Sequence, residues 1–101
     1  MINDIAVSRR VENMMSDIPK RIGKENVDEQ IARVGLIAEL DAVNLYEQMA
    51  AMATDNKLKE VLLDIAKEEK THIGEFQAML LKKDKEQVKE LEAGRKEVEG
   101  A

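Results

Sequence analysis

The sequence predicts an all-α protein, an antiparallel two-helix hairpin followed by a short C-terminal helix, and three observations carry that reading. Apolar residues make up 44% of the chain, mostly Ala, Leu, Ile, Val and Met, and 37% are charged, a balance that suits long helices with one side buried. Pro occurs once, at Pro19, and Gly is absent between Gly35 and Gly74, so only a polar turn interrupts that interval. On both sides of the turn, apolar residues recur at three-, four- and seven-residue spacing, the period of an amphipathic helix.

Residues 1–25 carry a weak amphipathic pattern in Ile5, Val7, Val11, Met14 and Met15, broken at Pro19 and Gly23. A loosely ordered N-terminal arm is expected there. The hairpin is expected over 26–83. Asn26-Val27-Asp28-Glu29 resembles a capping box, with an amide at the N-cap and Glu three residues later, and helical periodicity follows to about Ala53. Thr54-Asp55-Asn56 supplies the turn. Leu58, Leu62, Ile65, Phe76 and Leu80 then define a second helix to about Lys82. Over 84–101, Asp84-Lys85-Glu86-Gln87 offers another cap, and Val88, Leu91 and Val98 support a short third helix and tail.

Composition limits what such a chain can do. It has 101 residues with one Phe, one Tyr and no Trp, which leaves little bulky material for a core and makes a monomer marginal. The net charge is −5 and no basic stripe is interleaved with aromatics, which argues against nucleic acid and suits a protein that handles cations. No apolar run is long enough to span a bilayer, and Met1-Ile2-Asn3-Asp4-Ile5 lacks the basic start of a signal peptide, so a cytoplasmic location is expected. Without Cys there is no disulfide, thiolate nucleophile, iron–sulfur cluster or rubredoxin-type centre. Any metal must be held by oxygen and nitrogen.

Two carboxylates stand where the pattern is apolar. On a wheel at about 100° per residue, Ile31, Ala42, Leu45 and Met49 cluster near Ala38, while Leu36, Leu40 and Val43 fall on a second band. Between the bands lie Ala32, Gly35, Glu39, Tyr46, Ala50 and Ala53, so Glu39 is surrounded by small residues. An arc that wide can contact more than one neighbouring helix. On the second helix, Leu58, Leu62, Ile65, Phe76 and Leu80 all fall within about 40° of Glu69, and His72 flanks that stripe near Val61 and Met79. Counting from Thr54, Glu39 is fifteen residues back and Glu69 fifteen forward, so an antiparallel hairpin sets them at the same height.

Burying an ionised carboxylate without a partner costs several kcal/mol, against a total stability of roughly 5–15 kcal/mol for a domain. No Lys or Arg lies on either apolar arc. A bound cation is the economical compensation. The set is Glu plus Glu-x-x-His, and a carboxylate-bridged di-iron centre in a helical bundle takes two of each from four helices. One chain therefore supplies half, and two hairpins about a two-fold axis supply the whole. In that arrangement His72 and Glu69 serve one metal and Glu39 bridges both, with Gly35, Ala32 and Ala50 leaving room for the pair.

Residues 28–92 resemble the encapsulated ferritins of the ferritin-like superfamily, most specifically in Ile37-Ala38-Glu39-Leu40-Asp41-Ala42-Val43-Asn44-Leu45-Tyr46 and Ala66-Lys67-Glu68-Glu69-Lys70-Thr71-His72. The resemblance implies a hairpin that dimerises into a ferritin-like four-helix bundle and oxidises Fe(II) at a shared di-iron site. Glu39, Glu69 and His72 match the family's iron ligands, Tyr46 its Tyr beside the site, and Asp41 an acidic residue implicated in metal uptake. Ala38 stands where the family can carry an acidic residue, and Leu45 where some members have Trp. Calcium or zinc is expected to substitute for iron in crystals. Family members form an open ring, typically a decamer, inside an encapsulin shell, which implies a cytoplasmic nanocompartment. Arg95-Lys96-Glu97-Val98-Glu99-Gly100-Ala101 does not look like the docking peptide of free-standing members, and in some relatives the shell protein follows as a C-terminal fusion.

Other readings remain open from sequence alone. A rubrerythrin-like peroxidase shares the ligand set but normally uses a Cys-bound electron donor. A metal-free helical scaffold that tethers a shell protein would need Glu39 and Glu69 to reach water. Tyr46 suits core packing as well as redox chemistry, and the six Met suit gap-filling. Glu68, Glu75, Glu86, Glu90 and Glu92 read as a solvated face, although Glu68 and Glu75 flank His72 and can pass ions inward.

Overall fold

Helix α1 spans Val27–Met52, α2 Asn56–Lys83 and α3 Lys85–Glu99. The computed structural model describes residues 26–100, and the expected N-terminal arm over 1–25 lies outside them. Every regular element among the described residues is helical, as the sequence predicts.

The start of α1 differs from the expected capping box. Asn26 has φ −107° and ψ 2° and makes no side-chain capping hydrogen bond. A capping side chain needs extended backbone to aim at the free N–H groups of the first turn, and Asn26 is not extended. Asp28 and Glu29 still set negative charge at the positive end of the helix,, and Glu29 lies 3.8 Å from Arg33 one turn on.

Extended backbone at Ala53 ends α1, and the Ala53 N–H donates to Met49 O at 2.9 Å. The turn closes one residue earlier than 54–56 because Asp55 is the cap of α2. Its φ of −80° and ψ of 124° are extended, and its carboxylate accepts from the Leu58 N–H at 2.7 Å, which makes Asn56 the first helical residue. Asp55→Ala is expected to lower stability by about 1 kcal/mol, measured by urea unfolding.

Asp84 makes the second corner. Its N–H donates to Leu80 O at 2.9 Å, closing α2, and its carboxylate accepts from the Gln87 N–H at 3.0 Å, opening α3. The other carboxylate oxygen accepts from Arg33 Nη2 at 2.5 Å, which ties the corner back to α1. The Gln87 N–H, followed by Arg33, holds the Asp84 carboxyl below the usual carboxylate range. A lowered value means that this contribution to stability is complete above the unfolded carboxyl's range, about pH 4, and is lost as pH falls through the folded value. Acidification below about pH 4 should therefore loosen the α2–α3 corner, read as faster amide exchange at Gln87; unchanged exchange there would contradict it.

Third in order, α3 has 15 residues and ends at Gly100, whose φ of 73° is left-handed. It is the C-terminal helix expected within 84–101. Arg95 is braced by Glu92 and Glu99 on its outer face, and these one-turn pairs support helix without burial. No residue of α3 is buried.

The hairpin core is thin. Among the described residues, Ala32, Val34, Ala50, Leu62, Ala66 and Leu80 are the buried apolar ones, and three of the six are alanines. Much of the stripe expected around Glu69 is left uncovered: Leu62 and Leu80 are buried, Ile65 and Phe76 half-buried, and Leu58 exposed. Leu40, Val61, Leu63 and Met79 are also exposed. Each helix covers only the inner strip of the other's arc, because the arcs are wider than one helix can bury. No described helix is long and apolar enough to cross a membrane.

Candidate metal centre

Halfway along the hairpin, α1 presents Glu39 to Glu69 and His72 of α2. His72 Nδ1 lies 3.5 Å from Glu39 Oε2 and 3.5 Å from Glu69 Oε2. One ligand atom from each of the three residues falls within 4.8 Å of the other two. Ligand atoms about 2.0–2.2 Å from a common metal stand about 3–4 Å apart, so small rotamer adjustments suffice to close the set on one ion. The matched count from the turn and the i,i+3 spacing on α2 produce this convergence.

The three residues do not satisfy one another without an ion. A separation of 3.5 Å is long for a hydrogen bond to a ring nitrogen, and Glu39 Oε2 is buried with no hydrogen-bond partner among the described residues. An orphaned buried carboxylate oxygen is costly. Lys70, next to Glu69 in sequence, pairs with Glu47 at 3.2 Å, and Arg33 of α1 pairs with Asp84. His72 stands equally far from both carboxylates. Its Nδ1 is placed to be offered to a cation held between them. Two hard carboxylates with one imidazole suit a divalent first-row metal.

The His72 side of the three ligands is the more open. The Glu39 and Glu69 side chains are 18% and 17% exposed and that of His72 is 44% exposed, so the imidazole marks the open edge. A cleft of about 440 Å³ there is lined by Glu39, His72, Glu75, Phe76 and Met79. Glu75 and Met79 follow His72 at three and seven residues on the same helix, a spacing that turns them toward a shared edge.

Gly35 corrects the expected use of the small residues. A Cβ built there would lie 2.5–2.8 Å from Cε1, Cδ1 and Cζ of Phe76, so the space is filled by that ring and does not hold metals. Ala32 and Ala50 are likewise buried against the hairpin. Gly35→Ala should displace Phe76 and lower stability by about 1 kcal/mol net, since overpacking outweighs the gain in helix propensity. Thermal unfolding checks this, and an unchanged or higher Tm would contradict it.

Tyr46 and Asp41 are both half-buried and neither lines the cleft. Tyr46 lies seven residues from Glu39 on the same side of α1. Asp41 is turned by about 200° from Glu39, so it does not share the face that meets α2.

Comparison with known proteins adds to this geometry. A family model described as EncFtn-like matches residues 14–96, a longer span than the resemblance over 28–92 noted from the motifs. A ferritin-like-encapsulin shell fusion protein of Pyrococcus furiosus is 56% identical over 69 residues, covering 68% of this chain and 20% of that protein. This chain thus spans about a fifth of the length of that relative. The crystal structure of the encapsulated ferritin domain from Pyrococcus furiosus superposes with a TM-score of 0.75 at 49% identity, covering 79% of this chain and 82% of the other. With most of its length matched by the family model and its helices superposable on that domain, the chain belongs to the EncFtn-like family.

Proposed function

We propose that two copies of this chain form a ferroxidase, pairing their hairpins into a four-helix bundle that holds two iron ions between them. The observation that carries this reading is the convergence of Glu39, Glu69 and His72 around an orphaned buried carboxylate oxygen. One chain offers two carboxylates and one imidazole, half of a di-iron set. Four glutamates from two copies match the charge of two Fe(II). The exposed apolar residues of the hairpin give the second copy a surface to bury.

Fe(II) is the substrate. Glu69 and His72 of each copy hold one ion, and Glu39 has two oxygens with which to span both. Carboxylate oxygens favour the ferric state. Two Fe(II) each give one electron to a bound O₂, which takes up two protons and leaves as hydrogen peroxide, with two Fe(III) as product. Tyr46 stands beside the pair as a hydroxyl that can orient the oxidant, and Asp41 draws ions inward from the outer side of α1. Further assembly into a decameric ring, and work with an encapsulin shell inside a cytoplasmic compartment, complete the proposal. The shell-fusion relative and the encapsulated domain of Pyrococcus furiosus support the link to an encapsulin shell.

The test is aerobic addition of Fe(II) followed by ferric absorbance. The parent should oxidise Fe(II) well ahead of the buffer rate, and Glu69→Ala should not exceed that rate. A parent no faster than buffer overturns the proposal. Asp41→Ala should keep the metal stoichiometry but slow oxidation at limiting Fe(II) by several-fold; equal rates would remove Asp41 from the uptake path.

A further inference from the structure

We propose that Met79 is a modification site for oxidant released at the paired metal site, its thioether taking up one oxygen atom inside the cleft. The inference rests on the ferroxidase reading above. Met79 lines the same cleft as Glu39 and His72, and seven residues of α2 separate it from His72, about 10 Å along the helix axis. The other two lining residues are poor oxygen acceptors: Glu75 is a carboxylate, and the Phe76 ring is packed on Gly35. A thioether accepts oxygen readily, passing to a sulfoxide that dedicated reductases reverse.

The step balances. Two Fe(II) reduce O₂ with two protons to hydrogen peroxide. The Met79 sulfur then uses a lone pair to form an S–O bond as the peroxide O–O bond breaks. The departing hydroxide, joined by the proton released from the transferred oxygen, becomes water. Sulfur loses two electrons and the peroxide gains them. Peroxide consumed in this way no longer meets Fe(II) or the imidazole of His72.

The chain carries its own control. Met52 ends α1 and is 58% exposed, against 55% for Met79, yet it lies thirteen residues from Glu39, about 20 Å along α1. Oxidant arriving from solvent treats the two as similar, whereas oxidant born in the cleft meets Met79 first.

The experiment treats one sample of the full chain with Fe(II) and air and a second, metal-free sample with added hydrogen peroxide. Peptide mass mapping then gives the ratio of Met79 to Met52 sulfoxide in each. That ratio is expected to be several-fold higher under Fe(II) turnover, and catalase should suppress Met52 oxidation more than Met79 oxidation. Met79→Leu keeps an apolar wall and should raise the yield of hydrogen peroxide released to solution during Fe(II) oxidation. If Fe(II) is oxidised faster than in buffer but the ratio equals that of added peroxide, this inference alone is overturned. If Fe(II) is oxidised no faster than in buffer, the ferroxidase reading falls and this inference with it.

Discussion

Glu39→Ala is expected to abolish the paired metal site while raising the stability of the metal-free protein. Glu39 Oε2 is buried without a hydrogen-bond partner among the described residues, and a group in that state costs about 1–3 kcal/mol. Alanine removes the cost and is the better helix former at a mid-helix position, although it gives up some side-chain packing. A net gain of about 1 kcal/mol in the apo protein follows. The metal-bound state behaves oppositely: the parent should gain thermal stability on anaerobic Fe(II) addition by mass action, and the variant should not. Differential scanning calorimetry with and without Fe(II) reads both effects. A parent whose Tm ignores Fe(II), with a variant that is merely more stable, is what a metal-free tether would give.

His72→Ala is the second large effect, and it should be graded. The imidazole serves one ion and lies at the open edge, with its side chain 44% exposed, so its removal leaves the helices intact. Helical content should be unchanged by circular dichroism. Metal occupancy and the oxidation rate should each fall by at least tenfold, of the order seen when the support of a metal ligand is lost. Full occupancy in the variant would show that His72 only offsets carboxylate charge.

Much of the fold and of the candidate site was legible in the sequence because both follow from helical periodicity. Glu39 and Glu69 interrupt apolar stripes at equal distance from Thr54, and that counting brings them together without knowledge of side-chain detail. Asp84 read as a cap because a short acceptor before a helical run has few other uses, whereas Asp55 read only as part of the turn and its capping of α2 emerged from the structure. Legibility ended where packing between helices decides. Gly35 looks like open space on a wheel, yet α2 fills it with Phe76. The cap at Asn26 failed because its backbone is not extended, which residue type does not reveal. The tie from Arg33 to Asp84 joins residues 51 apart, beyond any local pattern. Met79 appeared as one more apolar residue on the flank of His72, and only the cleft distinguishes it from Met52.

The central claim is that one chain holds half a metal site, and native mass spectrometry under anaerobic Fe(II) tests it most directly. The account predicts metal on species with even subunit numbers, two irons per pair of chains, with metal-free chains mainly monomeric at low concentration and assembling as Fe(II) is added. Iron bound stoichiometrically to single chains, or a subunit distribution unmoved by Fe(II), would contradict it.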